Sequence, residues 1–148
     1  MRKLGQVACL LGMLMLVPAS ALSGTKEQKG SRFDWNPVID AIIEVESEGK
    51  SDAVDKSGKS CGIMQITPIL VKECNRILVL RKSKKRYTLH DRFSVSKSKE
   101  MFLLFQSYYN PRNSVELAIR SWNGGMKYTK KGTQKYFEKV MRKMKSKV

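Results

Sequence analysis

The sequence predicts an α+β fold that is mostly α, in a single domain with a small β element. Three observations predict it. Apolar residues recur at helical spacing in five segments, most of them bounded by a capping, proline or glycine signal. Between the first two segments, Gly49 to Cys61 holds Gly49, Ser51, Asp52, Asp55, Ser57, Gly58 and Ser60, which is turn chemistry. The 148 residues show no internal repeat and allow one domain plus a processed segment.

The first helix is predicted after Asp34, the expected N-cap, with Pro37 in its first turn and Gly49 as its stop. At about 100° per residue, Trp35, Val38, Ile39, Ile42 and Ile43 form one apolar stripe. Glu46 falls about 20° from Trp35, inside the stripe, whereas Glu44 and Glu48 fall on the far side. An acid placed where a core residue belongs has its charged form disfavoured and its pKa raised. A raised pKa suits a general acid near neutral pH. The competing reading ends the helix earlier and leaves Glu46 in solvent.

After the turn region, a small hairpin is expected around Lys56-Ser57-Gly58 and a short strand over Ile63 to Ile66. Thr67 and Pro68 start a second helix that runs to about Leu80 and buries Leu70, Cys74, Ile77 and Leu78. Arg81 to Arg92 reads as a charged loop, either solvated or able to bind a polyanion through Lys82 to Arg86. Ser94 or Ser96 opens a third helix carrying Met101, Phe102, Leu104, Phe105 and Tyr108, which Asn110-Pro111 ends. Asn113 with Glu116 resembles a capping box for a fourth helix that stops at Asn123-Gly124-Gly125. A last helix, from about Gln134 to Lys145, places Tyr136, Phe137, Val140, Met141 and Met144 on one side.

The N-terminus has the order of a signal peptide. Arg2 and Lys3 precede an apolar run, Val7 to Val17, and then Pro18 and Ala19-Ser20-Ala21. The run is shorter than the roughly 20 residues of a membrane span; an uncleaved anchor is the alternative. The expected organisation is a signal peptide over residues 1–23, a polar linker over 24–32 and one domain over 33–148. Removing Arg2 and Lys3 lowers the formal net charge from +16 to +14. So basic a protein seeks an anionic partner: nucleic acid, anionic lipid or a carboxylate-bearing wall polymer. Export, to the periplasm or the medium, argues against intracellular nucleic acid and leaves no membrane span after signal removal. The remaining cysteines, Cys61 and Cys74, are either a disulfide or two buried thiols. With His90 the only histidine and no CxxC, a structural zinc site is not expected, and the sequence calls for no cofactor.

Several segments resemble one family in order and spacing. Glu46-Ser47, Ala53-Val54, Gly58 and Gly62-Ile63-Met64-Gln65-Ile66-Thr67-Pro68 are similar to the soluble-type lytic transglycosylases, which have a lysozyme-like fold. Ala118 with Trp122-Asn123-Gly124-Gly125 resembles a further motif of that family, and Tyr136 with Val140 resembles its closing one. The resemblance covers about residues 33–141. Gly62 comes one residue late, and Trp122 stands where the family has tyrosine.

The resemblance implies that Glu46 is the catalytic acid and works without a second carboxylate. It would protonate the glycosidic oxygen between MurNAc and GlcNAc while the N-acetyl group stabilises the charge developing at C1. As a base it would then take the C6 hydroxyl proton, and the oxygen would close on C1 to give a 1,6-anhydro sugar. An intramolecular nucleophile has a large effective concentration. Gln65 and Asn123 offer hydrogen bonds to sugar amides and hydroxyls, although Asn123 could instead cap the backbone. Met64 would wall the acid, Ser47 would bond locally or to the acid, Tyr136 would reach Glu46, and Trp122 would offer a ring face to a sugar. Core packing is the alternative for Met64, Tyr136 and Trp122. Glycan strands of peptidoglycan are the expected partner, and a secretion or conjugation machine fits a small exported enzyme of this kind.

Two other readings fit the same residues. A muramidase would hydrolyse the same bond with water and needs a second carboxylate, which Asp52 or Asp55 could supply. A non-catalytic cationic protein would grip wall polymer or nucleic acid and never clear a peptidoglycan suspension; nucleic-acid binding would fall steeply with salt.

Overall fold

The computed structural model describes residues 33–146, within one compact unit. The expected signal peptide and linker lie outside the described residues. Five α-helices follow one another: α1 Asn36–Ser47, α2 Pro68–Leu80, α3 Val95–Tyr109, α4 Val115–Gly124 and α5 Lys130–Lys145. A single 3-10 turn, His90–Phe93, precedes α3. Helix α1 packs on α4 and α5, α4 packs on α5, and α2 packs on α3. No helix among the described residues is long and apolar enough to cross a membrane.

The core forms where the stripes meet. Val38, Ile39, Ile42 and Ile43 of α1 are buried with Trp35, against Met101 and Phe102 of α3, Ala118 and Ile119 of α4 and Val140 of α5. The Trp35 and Phe102 rings meet edge to face at 5.7 Å, a preferred aromatic geometry. Fully burying side chains of this size stabilises by about 1.5–3 kcal/mol each relative to exposure.

The capping chemistry is partly as expected. Thr67 caps α2 by accepting from Leu70 N at 3.2 Å, and Ser94 caps α3 by accepting from Lys97 N at 3.4 Å. At α1 the cap position belongs to Trp35 rather than Asp34, whose Oδ1 accepts from Asn36 N at 2.9 Å one residue too early. At α4 the cap is Ser114, not Asn113. Asn113 takes a left-handed φ of 54°, and the buried Asn110 holds both backbone groups of Ser114 with its side-chain amide. Glu116, freed from the capping box, accepts from Arg120 Nε at 2.8 Å. Helix α5 starts at Lys130, ahead of the expected Gln134, because Thr129 accepts from Gly132 N at 3.0 Å.

The expected strand over Ile63 to Ile66 is not formed. The described residues contain only two isolated antiparallel bridges, Val54 with Cys61 and Cys61 with Ile66. The cause is a tight turn with two left-handed residues, Gly62 at φ 77° and Gln65 at φ 49°. The turn is closed by Gln65 N donating to Gly62 O at 3.0 Å and Ile66 N to Cys61 O at 2.8 Å. It buries Ile63, Met64 and Ile66 together instead of alternating them across a sheet. The preceding turn at Lys56-Ser57-Gly58 is gathered by Asp55. The Asp55 carboxylate accepts from Ser57 Oγ at 2.8 Å, Lys59 N at 2.8 Å and Ser60 N at 3.2 Å.

The segment Arg81 to Arg92 is pinned at two points rather than wholly solvated. Tyr87 is buried and exchanges backbone hydrogen bonds of 2.8 Å with the Asn75 side chain. Arg92 is 8% exposed and donates to the carbonyls of Leu89, Lys59 and Ile66. A buried guanidinium with three carbonyl acceptors is a tie across the chain. It fastens the 58–66 turns to the approach of α3.

Cys61 and Cys74 are both free and buried, so the disulfide alternative is set aside. The Cys74 thiol donates to Met101 O at 3.6 Å, and burial pushes its pKa up to about 12. Thiolate is the reactive form. Cys74 in the native protein is therefore expected to resist iodoacetamide at pH 8, and both cysteines are expected to be alkylated in urea without prior reduction. Mass spectrometry of the labelled protein checks this; a pair that alkylates only after reduction would overturn it.

Candidate active site

Ser47, the last residue of α1, positions the acid beside it. Its hydroxyl lies 3.3 Å from Ile43 O and 2.8 Å from Ile63 O, and donates across to the 62–66 turn. Glu48 and Gly49 then turn left-handed, with φ of 53° and 83°, and end the helix abruptly. Glu46 is thus held in the last turn of α1, where it lines a cleft of about 630 Å3. Its carboxyl is half-buried, and Tyr136 of α5 donates a 2.6 Å hydrogen bond to Oε1.

The electrostatics of Glu46 are set by burial first. Desolvation raises its pKa, while the Tyr136 hydrogen bond and the positive charge of Lys139 pull it back by smaller amounts. Burial also raises the Tyr136 phenol, as does the neighbouring Glu46 charge, so that Tyr136 remains a proton donor across the physiological range.

Of the residues singled out in the sequence, Glu46, Gln65, Trp122 and Asn123 line the cleft together. Gln65 donates through Nε2 to Ala53 O at 3.2 Å and Gly62 O at 3.0 Å, and among the described residues its Oε1 has no partner. Asn123 is exposed in the last turn of α4, and Gly125, with φ 69°, takes the C-cap. Trp122 both packs in the core and lines the cleft. Its indole N–H donates to Met64 O at 3.3 Å, its ring lies 5.2 Å from Phe102, and it faces the cleft.

Ser47, Met64 and Tyr136 stand behind the cleft surface. Met64 has no exposed area, so it backs the site and presents no surface to a ligand. Asp55 lines the cleft and Asp52 does not. The sequence reading missed Glu73 of α2 and Phe105 and Tyr109 of α3, which build a second wall with Ile69 and Leu70. Glu73 and Arg76, three apart on α2, were the available signal.

Among the described residues, three carboxylates line the cleft: Glu46, Asp55 and Glu73. Their environments push them apart. The Ser57 hydrogen bond, chiefly, holds Asp55 below the usual carboxylate range, and the Arg76 guanidinium does the same for Glu73. Only Glu46 is shifted upward, which is the separation expected when one carboxyl serves as an acid. The model of the transglycosylase SLT domain family matches residues 23–145. The chain belongs to this family. Searches of curated proteins and of solved structures return no match.

Membership assigns the SLT domain a transglycosylase activity on peptidoglycan, a glycan-cleaving chemistry, and a lysozyme-like fold. The pH dependence of this SLT domain follows from the site. Where Glu46 serves as the general acid that the resemblance implies, it must hold its proton, and kcat/KM is expected to fall as pH rises through its raised pKa. The Tyr136 hydrogen bond favours the carboxylate. Tyr136→Phe should therefore raise the Glu46 pKa further and move the alkaline limb of the profile to higher pH. A pH–rate profile of muropeptide release checks this, and a limb that stays or moves down would overturn it.

Proposed function

We propose that this SLT protein is a lytic transglycosylase that cleaves the MurNAc–GlcNAc β-1,4 bond and leaves 1,6-anhydroMurNAc ends. The observation that carries the reading is that Glu46 alone, among the cleft carboxylates, has its pKa raised. A protonated Glu46 gives its proton to the glycosidic oxygen. The carboxylate it becomes then accepts the proton of the MurNAc C6 hydroxyl as that oxygen closes on C1. Tyr136, a fixed donor at 2.6 Å, stabilises the carboxylate between the two transfers. Gln65 and Asn123 hold sugar amides and hydroxyls, and Trp122 offers its ring to a sugar face.

The rival with an observation behind it is a muramidase using Glu46 with Asp55, which shares the cleft. It is less supported because the Asp55 carboxylate is already committed to Ser57, Lys59 and Ser60. Mass analysis of products from purified protein on peptidoglycan separates the two. An anhydro end is lighter than a hydrolysed one by one water, about 18 Da; hydrolysed ends alone would refute the lytic reading. Soluble products of either kind would exclude a protein that only binds wall polymer.

The enzyme acts in the periplasm or outside the cell, exported through residues 1–23. General wall turnover and local wall opening for a secretion or conjugation machine both suit it. The basic, apolar and small-residue order of the N-terminus supports export. N-terminal sequencing of the exported protein is expected to begin at about residue 22 or 24, and a protein beginning at Met1 would overturn this.

A further inference from the structure

One exposed patch takes no part in the cleft. It lies where α2 ends. Val79 is 55% exposed and Leu80 54%, two adjacent aliphatic side chains left in water. Directly after them come Arg81, Lys82, Lys84, Lys85 and Arg86, all exposed. From residue 74 to residue 90 the chain has no Asp or Glu. Lys85 pairs with Glu100, but Arg81, Lys82, Lys84 and Arg86 form no ion pair among the described residues. The loop that carries them is held in place. Lys82 takes a left-handed φ of 55° and its N–H donates to Val79 O at 2.9 Å, while Ser83 N donates to Leu78 O at 2.9 Å. Glycine usually makes this turn at a helix end; here a lysine makes it. Arg86 Nη1 donates to Ser83 O at 2.7 Å and Lys85 O at 2.6 Å, and the buried Tyr87 ties the far end to Asn75.

The helix dipole favours cations at a C-terminus, but only within the last turn. It accounts for Arg81 and Lys82 and leaves Lys84, Arg86 and the two aliphatics unexplained. Cations alone suit any polyanion. Aliphatic side chains beside them gain nothing from a nucleic acid or an acidic polysaccharide, and Tyr87, the nearest aromatic in sequence, is buried and offers no stacking face. The surface of an anionic bilayer uses both features, since headgroups take the cations and the acyl boundary takes the aliphatics. No helix among the described residues is long and apolar enough to cross a membrane, so such contact is peripheral. The cleft draws on Ile69, Leu70 and Glu73 of α2, and none of residues 79–86 lines it. Leu80 lies about 15 Å further along the helix axis than Leu70.

We propose that the end of α2 and the loop after it dock the protein peripherally on anionic lipid, with Val79 and Leu80 at the acyl boundary and Arg81, Lys82, Lys84 and Arg86 on headgroup phosphates. The proposal stands whatever the cleft cuts. The full mature protein is mixed with vesicles of phosphatidylcholine, and with vesicles that also hold about 30% phosphatidylglycerol, and co-sedimentation is measured. The anionic vesicles are expected to bind it at least about tenfold more tightly. Arg81→Gln, Lys82→Gln and Lys84→Gln combined should weaken that binding about 10²-fold, or roughly fivefold per cation. Val79→Ser with Leu80→Ser should weaken it about tenfold. Both sets are exposed, so each tests the patch if the other fails to fold. The whole chain is basic, so Lys131→Gln, Lys135→Gln and Arg142→Gln on the exposed side of α5 serve as a control and should lose less than about threefold. An equal loss in that control overturns the proposal, because net charge alone would then explain the binding. So does a parent that binds both kinds of vesicle alike. Soluble polyglutamate separates lipid from polyanion, and Val79→Ser with Leu80→Ser should leave binding to it unchanged. Unchanged vesicle binding in that pair, or an equal loss on polyglutamate, would make the patch a polyanion grip and overturn the lipid assignment.

Discussion

Glu46→Gln is expected to abolish release of soluble muropeptides while the fold persists. Glutamine keeps the size of the side chain and can still accept from Tyr136, but it has no proton to give to the leaving oxygen. Loss of general acid catalysis lowers the rate about 10²–10⁴-fold. The proposed mechanism uses the group twice, as acid and then as base, so the upper end of that range is expected. Glu44→Gln and Glu48→Gln serve as controls. The first faces Lys143 of α5 at 3.2 Å and the second is solvent-exposed, and both should stay within a few-fold of the parent. Asp52→Asn and Asp55→Asn should keep most of the activity. Near-parent activity in Glu46→Gln would remove the acid assignment, and a folded but dead Asp55→Asn would favour the muramidase.

The same substitution has an opposite effect on stability. The folded pKa of Glu46 is raised, so the native state holds its proton to higher pH than the unfolded chain does. Between the two pKa values the native state binds more protons, and its stability falls as pH rises. Glu46→Gln removes that slope. The variant should melt at or above the parent temperature at neutral pH, with no such advantage below the unfolded pKa of the carboxyl. A Tm series over pH 4–8 measures it.

Among the described glycines, Gly62→Ala is expected to be the most damaging addition of a methyl group. A Cβ at residue 62 would lie 1.8 Å from Arg92 O and 2.8 Å from Arg92 C, and φ is +77°. Both obstacles are backbone, so neither can rotate away. Conformational strain and overpacking together should destabilise by about 2–5 kcal/mol. Gly58→Ala is the matched comparison. It has a similar φ of +70° but nothing within 4 Å of the added carbon, so it should cost about 1 kcal/mol. Urea unfolding midpoints of the two variants decide the matter; equal losses would mean that the contact with Arg92 carries nothing. The damage should also reach activity, because Gln65 and the Trp122 acceptor at Met64 O belong to this turn.

The parts of the site legible in sequence were those governed by local rules. A 3.6-residue period placed Trp35, Val38, Ile39, Ile42 and Ile43 in the core and Glu46 inside the same stripe; α1 obeys that period to Ser47, with Glu46 only partly buried. The resemblance added Gln65, Trp122 and Asn123, which share the cleft. What escaped was decided by contacts far apart in sequence. An apolar run such as Ile63 to Ile66 reads as strand by composition, but the left-handed Gly62 and Gln65 curl it, with Arg92 bonded to Ile66 O from 26 residues away. Glu73 and Tyr109 are ordinary residues of amphipathic helices until α2 and α3 pack. Caps failed by one residue at Asp34 and Asn113, where two adjacent polar residues competed and side-chain geometry chose between them.

The Tyr136–Glu46 bond joins residues 90 apart. Its acid comes from the first helix of the domain and its donor from the last. Bringing such distant segments together carries a larger loop-closure entropy than any local contact in the molecule. Glu46 therefore gains its Tyr136 partner only once α5 has docked. A chain shortened before α5 would keep the Glu46-Ser47 and Gly62-Ile63-Met64-Gln65 motifs and still lack the partner that completes the acid.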